Sequence, residues 1–205
     1  HAGATAGLES ISQDLIRYFV VDAFTDRPVS GNPAAVVLLS EWPDDLWLQN
    51  VAMEMNLSET AFVVPTQSGF DLRWFTPTVE VDLCGHATLA SAFAIIHAGL
   101  LEAKSDMDFA TRSGVLSAVA HGDRIQLDFP LKPESPTTPP ADLIEGLSVT
   151  PTYVGKSEYD YLVEVETEQE LRSLTPNFDH LAKLDCRGII VTSTSTNPEF
   201  DFSSR

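Results

Sequence analysis

Val81-Asp82-Leu83-Cys84-Gly85-His86-Ala87-Thr88-Leu89-Ala90, continued by Ser91-Ala92-Phe93-Ala94-Ile95-Ile96-His97-Ala98-Gly99, is the stretch that decides how this chain folds. From Ala87 onward it is apolar almost all round, and a helix without a wide polar face has to be enclosed by other structure. The spacing predicts a helix over residues 85–98, stopped by Gly99. Just before it, Val79-Glu80-Val81-Asp82-Leu83 alternates strictly, which predicts a strand with Val79, Val81 and Leu83 toward the core and both acids away from it. A strand running straight into a buried helix leaves Cys84, Gly85 and His86 on the turn between them.

On the N-terminal side, residues 17–24 and 34–39 are β-branched and aromatic runs joined by turn formers, and predict a hairpin. Pro43-Asp44-Asp45 opens a helix reaching about Asn56, with acids in its first turn and Leu46, Val51 and Met55 as inward positions. Strands are predicted at residues 60–64 and 71–75 and, past the apolar helix, at 114–119 and 125–129. One helix surrounded by antiparallel strands is the implied arrangement.

Pro130, Pro133, Pro136, Pro139 and Pro140 then make the chain extended and semi-rigid, and a domain boundary is expected there. Beyond it a similar menu returns, with strands at 153–155, 160–165 and 188–194 and short helices at 168–174 and 179–184. No second all-apolar helix follows. The expected division is a first domain over 17–129, a proline-rich connection over 130–140 and a partial second domain over 141–205. Residues 1–16, which start His1-Ala2-Gly3, read as a processed end or tag remnant.

Composition removes several classes of function. The 205 residues are 43% hydrophobic and 20% charged, as in ordinary globular domains. Twelve basic against 30 acidic residues give a net charge of -18, so a nucleic-acid backbone or an anionic membrane surface would be repelled. Cys84 and Cys186 show neither a zinc-ligand spacing nor the density of a disulfide scaffold, which suits a cytoplasmic protein. No apolar run reaches the roughly 18 residues of a membrane span.

Two clusters carry chemistry. In Asn56-Leu57-Ser58-Glu59-Thr60-Ala61-Phe62 a lone carboxyl sits between a helix end and an apolar strand. Shelter by neighbours such as Phe62 would suit Glu59 to take and return a proton near neutral pH; the plainer role is that of a surface acid in a linker. In Leu83-Cys84-Gly85-His86 the free N–H groups and positive dipole end of the helix form a seat for a carboxylate or enolate. Gly85 lets a ligand approach the backbone. His86 can donate to the bound group or relay a proton, or simply satisfy a loop carbonyl. Cys84 is either a dipole-activated thiol or a small buried apolar residue.

Val21-Asp22-Ala23-Phe24-Thr25, Gly31-Asn32-Pro33-Ala34-Ala35-Val36, Asn56-Leu57-Ser58-Glu59-Thr60-Ala61-Phe62 and Leu83-Cys84-Gly85-His86-Ala87-Thr88-Leu89-Ala90 resemble, in order, the signature blocks of the phenazine-biosynthesis PhzF-like isomerase family. The resemblance implies an α+β, diaminopimelate-epimerase-like fold: two similar domains, each a curved antiparallel sheet or barrel around a central helix, with the site in the cleft between them. It implies no metal or organic cofactor, and a homodimer. Glu59 falls on the family's catalytic glutamate, which moves a proton between carbons of a small unsaturated carboxylic acid, and His86 on its site histidine. Ser58 and Gly85 fall at substrate-contacting positions, and Cys84 beside them is expected among the substrate-binding residues. The family's second acidic block, Asp-Pro-Val-Thr-Gly-Ser, has no counterpart in the sequence, so the chain is expected to stop short of the second central helix.

Two other readings stay open. Cys-Gly-His at a helix start is also similar to the proline racemase site, with Cys84 as a thiol base, although Asp185-Cys186-Arg187-Gly188 is not the expected partner motif. A protein of the same fold that binds small acids without turnover is the third.

Overall fold

The computed structural model describes residues 15–27, 29–102, 106–122 and 124–205. The expectation for residues 1–16 therefore lies outside the described residues except at Leu15 and Ile16, both exposed. The chain forms two units, one ending at Phe129 and one running from Pro130 to Arg205.

In the first unit the strands are β1 (Arg17–Ala23), β2 (Asn32–Leu38), β3 (Thr60–Pro65), β4 (Phe70–Phe75), β5 (Glu80–Val81), β6 (Asp106–Thr111), β7 (Gly114–His121) and β8 (Arg124–Asp128). They form one sheet in the order β1-β2-β3-β4-β6-β7-β8, with β5 added on β4. Helix α1 (Asp45–Met55) lies between β2 and β3 in sequence, and α2 (Gly85–His97) between β5 and β6. Strands β1 and β8 are the two ends of the sheet, yet both pack on α2, so the sheet curls around that helix. Small residues allow the close approach: Ala87, Ala90, Ala92 and Ala94 are fully buried, with Ile95 beside them. The two hydroxyls buried with them are satisfied within the helix, Thr88 Oγ1 donating to the Cys84 carbonyl at 2.6 Å and Ser91 Oγ to Ala87 at 2.7 Å.

The sheet is covered on both faces along β2 and β3, which is why those strands read as continuous apolar runs. Ala34, Val36, Ala61 and Val63 face α2, while Val37, Phe62, Val64 and Phe75 pack with Leu48 and Ala52 of α1. Helix α1 starts on Asp44, whose Oδ1 accepts from Trp47 N–H at 2.8 Å, and ends where Asn56 turns left-handed at φ 51°. Its inward face differs from the sequence expectation: Leu48 and Ala52 are buried, whereas Leu46 is 69% exposed. Leu46 sits a half-turn away from the Leu48–Ala52 stripe.

Three further expectations are corrected. Val79 is exposed because the strand before α2 is only the two-residue β5. Glu80 does not face solvent: its side chain is 11% exposed, gripped in a fork by Arg73 at 2.7 Å and by Arg112 at 2.6 Å. The sheet is also not purely antiparallel, since β2 and β3 pair in parallel, as do β4 and β6.

The second unit holds β9 (Ser135–Pro136), β10 (Tyr153–Lys156), β11 (Asp160–Glu164), β12 (Gly188–Thr194) and β13 (Phe202–Ser204), in the order β13-β12-β11-β10-β9. Helices α3 (Ala141–Leu147), α4 (Glu168–Ser173) and α5 (Phe178–Leu181) complete it, over a core that includes Leu143, Tyr161, Val163, Leu171 and Val191. The proline-rich connection is not wholly irregular, because Ser135–Pro136 pairs with β10. Glu168 knots the unit together at 4% exposure: it accepts from Arg172 at 2.5 Å, Thr196 N–H at 2.7 Å, Ser203 Oγ at 2.9 Å and the Thr196 hydroxyl. On the sheet face away from that core, Ile190 and Phe202 are exposed. Among the described residues no helix is long and apolar enough to cross a membrane.

Candidate functional site

The start of α2 is an open helix end. Cys84 is its N-cap in extended conformation and offers no side-chain cap. The first helical bond runs from Thr88 N–H to the Cys84 carbonyl at 3.2 Å, so the N–H groups of Gly85, His86 and Ala87 point ahead of the helix. No atom lies within 4 Å of where a Cβ on Gly85 would stand, so there is room beside that backbone. Ser113 Oγ holds the preceding loop by donating to the Asp82 carbonyl at 2.7 Å.

Glu59 reaches this end from the α1–β3 junction. The left-handed Asn56 stops α1, and residues 57–59 lead into β3. Side chains alternate along a strand, so Glu59 shares the face of Ala61 and Val63, the face covered by α2. Phe62 belongs to the other face, with Trp47 and Phe75, and does not shelter Glu59. The shelter comes from the α2 side instead, leaving the Glu59 side chain 21% exposed.

These segments bring three sequence-predicted residues, Glu59, Ser58 and Cys84, around the imidazole of a fourth, His86, and place the fifth, Gly85, directly beside it in α2. His86 Nε2 lies 3.4 Å from Glu59 Oε2 and 3.3 Å from Ser58 Oγ, and Nδ1 lies 3.4 Å from Cys84 Sγ. His86 and Cys84 are buried, and Ser58 is exposed. Burial pushes the His86 pKa below its ordinary value, opposed in part by the Glu59 charge and by the Pro33 carbonyl, which accepts from the ring. The Pro33 contact gives the Gly31-Asn32-Pro33 loop a place in the site that residue chemistry alone did not disclose. In the sequence that loop stood out only as one of the signature blocks of the family resemblance.

Among the described residues two clusters bring metal-ligating atoms near one another: Glu59, Cys84 and His86, and Asp142, Glu145 and His180. In the first, thiol and carboxylate address opposite nitrogens of the imidazole, so one ion could not use all three without the ring turning. In the second, His180 Nδ1 already bonds Asp142 at 2.8 Å and Lys183 Nζ lies 3.3 Å from the same carboxylate, a latch between α3 and α5. A groove of about 600 Å³ lined by Leu38, Trp42, Trp47 and Leu100 lies elsewhere on the first unit. It lacks the convergent titratable groups found at the start of α2, which makes the latter the candidate for chemistry.

A family model described as phenazine biosynthesis-like protein matches residues 21–205. The chain belongs to the phenazine biosynthesis-like family. It is 53% identical over 188 residues to an uncharacterized isomerase of Halalkalibacterium halodurans, a match covering 91% of this chain and 71% of that protein. Among solved structures, a PhzF-family protein of Enterococcus faecalis superimposes with a TM-score of 0.82 at 36% identity, covering 93% of this chain and 72% of that one. A predicted epimerase of Pseudomonas aeruginosa shares the fold at a TM-score of 0.69 and 23% identity, covering 86% and 70%. The α+β, epimerase-like fold expected from the signature blocks is therefore the fold of this family member, with the curled sheet around α2 as its first-unit form.

Proposed function

We propose that this family member is a cofactor-independent isomerase in which Glu59 removes a proton from one carbon of a small unsaturated carboxylic acid and returns it to another. The observation that carries the reading is the 3.4 Å pairing of Glu59 Oε2 with His86 Nε2 at an uncapped helix start. When Glu59 takes the proton, the electron pair spreads over the conjugated system toward the substrate's carboxylate. The N–H groups of Gly85, His86 and Ala87 and the dipole of α2 meet that charge. His86, kept neutral by burial, donates a hydrogen bond to the developing charge without competing for the proton. Ser58, at the exposed rim, would contact the substrate. A proton then returns from the Glu59 carboxyl, where it exchanges with water, to the far carbon, so the reaction is balanced without a co-reactant.

This reading includes a cytoplasmic location, a homodimeric assembly and the two-domain organisation with its boundary in the proline-rich segment. It is tested by deuterium uptake from D2O into small cyclic unsaturated carboxylic acids. Wild-type protein is expected to label one of them, and Glu59→Gln to do so about 10²- to 10⁴-fold more slowly while keeping its circular dichroism. Wild-type labelling rates in Glu59→Gln would remove the glutamate from the mechanism.

A further inference from the structure

The His86 ring meets groups with fixed proton roles on both sides. Near neutral pH its burial leaves it with one proton and one bare nitrogen. Nε2 faces Glu59 Oε2 at 3.4 Å, and an ionised carboxylate accepts but cannot donate. A bare Nε2 would set two lone pairs against each other in a site where His86 is only 8% exposed. A protonated Nε2 instead donates toward the carboxylate and toward Ser58 Oγ at 3.3 Å. Nδ1 must then accept. Of the side chains facing the ring, Ser58 lies on the wrong nitrogen, and Cys84 Sγ, 3.4 Å from Nδ1, carries a proton to give.

We infer that Cys84 is a positioning residue: its thiol donates to Nδ1 of His86 and holds the ring in the Nε2–H tautomer, with that proton aimed at Glu59 and Ser58. Cys84 thereby keeps its proton and acts through the imidazole, a role distinct from that of a thiol base. The Pro33 carbonyl also accepts from the ring and, as an acceptor, supplies no proton to either nitrogen. The bearing of this arrangement on turnover rests on the proton-transfer reading above, but its own test needs no turnover.

The test is a long-range proton–nitrogen correlation spectrum of the protein labelled with ¹⁵N-histidine, at neutral pH. His86→Gln identifies the His86 signals among the five histidines. The expected wild-type pattern is a protonated Nε2 and a bare Nδ1. Cys84→Ala removes the donor and should raise the Nδ1–H population several-fold. A wild-type ring protonated at Nδ1 overturns the inference without any variant being made, and so does a Cys84→Ala spectrum identical to wild type. Deuterium exchange in wild type and Glu59→Gln is read on the same samples. Loss of the proton-transfer reading would show there and leave the tautomer result standing.

Discussion

Gly31→Ala tests whether the loop before β2 is what holds the His86 partner in place. Gly31 sits at φ +76°, and a Cβ there would stand 2.2 Å from the Ala23 carbonyl oxygen and 2.9 Å from Thr25 Cγ2. Real Cβ contacts stop near 3.0 Å, so backbone must retreat by about 0.8 Å from an atom at the end of β1. The left-handed conformation itself costs an alanine about 1–2 kcal/mol, reduced by about 0.4–1 kcal/mol through the stiffer unfolded chain. Forcing two backbone segments apart adds about 1–3 kcal/mol, as in other overpacked sites. Gly99 provides the control, at φ +73° with open space around its would-be Cβ. Urea denaturation should therefore show Gly99→Ala about 0.5–1.5 kcal/mol less stable than wild type, and Gly31→Ala about 2–4 kcal/mol less stable. Ala23 pairs with Asn32, so the displacement passes to Pro33 and should slow deuterium exchange in Gly31→Ala but not in Gly99→Ala. Equal stabilities for the two variants would refute the close approach.

Other consequences are equally direct. Phe62→Ala should cost about 3–5 kcal/mol in denaturation because the ring is fully buried. The exchange rate of the folded fraction should stay unchanged, since Phe62 lies on the sheet face opposite Glu59; a changed rate would reinstate it as the glutamate's shelter. Acid should destabilise the protein in two windows. The depressed His86 pKa means the unfolded chain binds its proton first, so stability falls as pH drops below 6.5, and His86→Gln should flatten that limb of a denaturation-midpoint profile. Glu168, held down to about 2 chiefly by the Thr196 hydroxyl and N–H, contributes stability that is lost as pH falls from 4.5 toward 2. Glu168→Gln should lower stability at pH 7 and remove that second limb. A profile of unchanged shape would mean that the knot carries no charge.

The enclosed helix was legible because an all-round apolar segment leaves few alternatives, and β12 was readable end to end for a similar reason, its run being bounded by Gly188 and Thr194. Helix α1 was readable in extent but not in facing. Asp44 and Asn56 are local start and stop signals, whereas the buried Ala52 contributes little to a hydrophobic pattern that an exposed Leu46 dominates. Strand β6 is not among the predicted strands, although Asp106-Met107-Asp108-Phe109 alternates cleanly with Met107 and Phe109 inward. The parallel pairings of β2 with β3 and β4 with β6 are not properties of any one segment, so no local reading supplies them. In the candidate site, turn chemistry singled out Glu59, His86 and Cys84, and the structure brings the carboxylate and the thiol each to 3.4 Å from the imidazole. The Pro33 contact was not singled out, because the group involved is a backbone carbonyl without a side-chain signature.

The same helix serves as core and as candidate site because the two roles use different atoms. An N-cap of Ser, Thr, Asp or Asn would stabilise α2 by about 0.5–2 kcal/mol, and Cys84 forgoes that contribution. The helix tolerates the loss because its stability comes from burial of Ala87, Ala90, Ala92, Ala94 and Ile95 inside the curled sheet, which does not depend on how its first turn ends. With no side chain folded back onto the N–H groups of Gly85, His86 and Ala87, those donors stay directed at whatever occupies the space beside Gly85. A cysteine at this position also leaves its sulfur free of a capping role and in contact with Nδ1 of His86. Uncapping the helix and orienting the imidazole are thus one structural choice, made at residue 84.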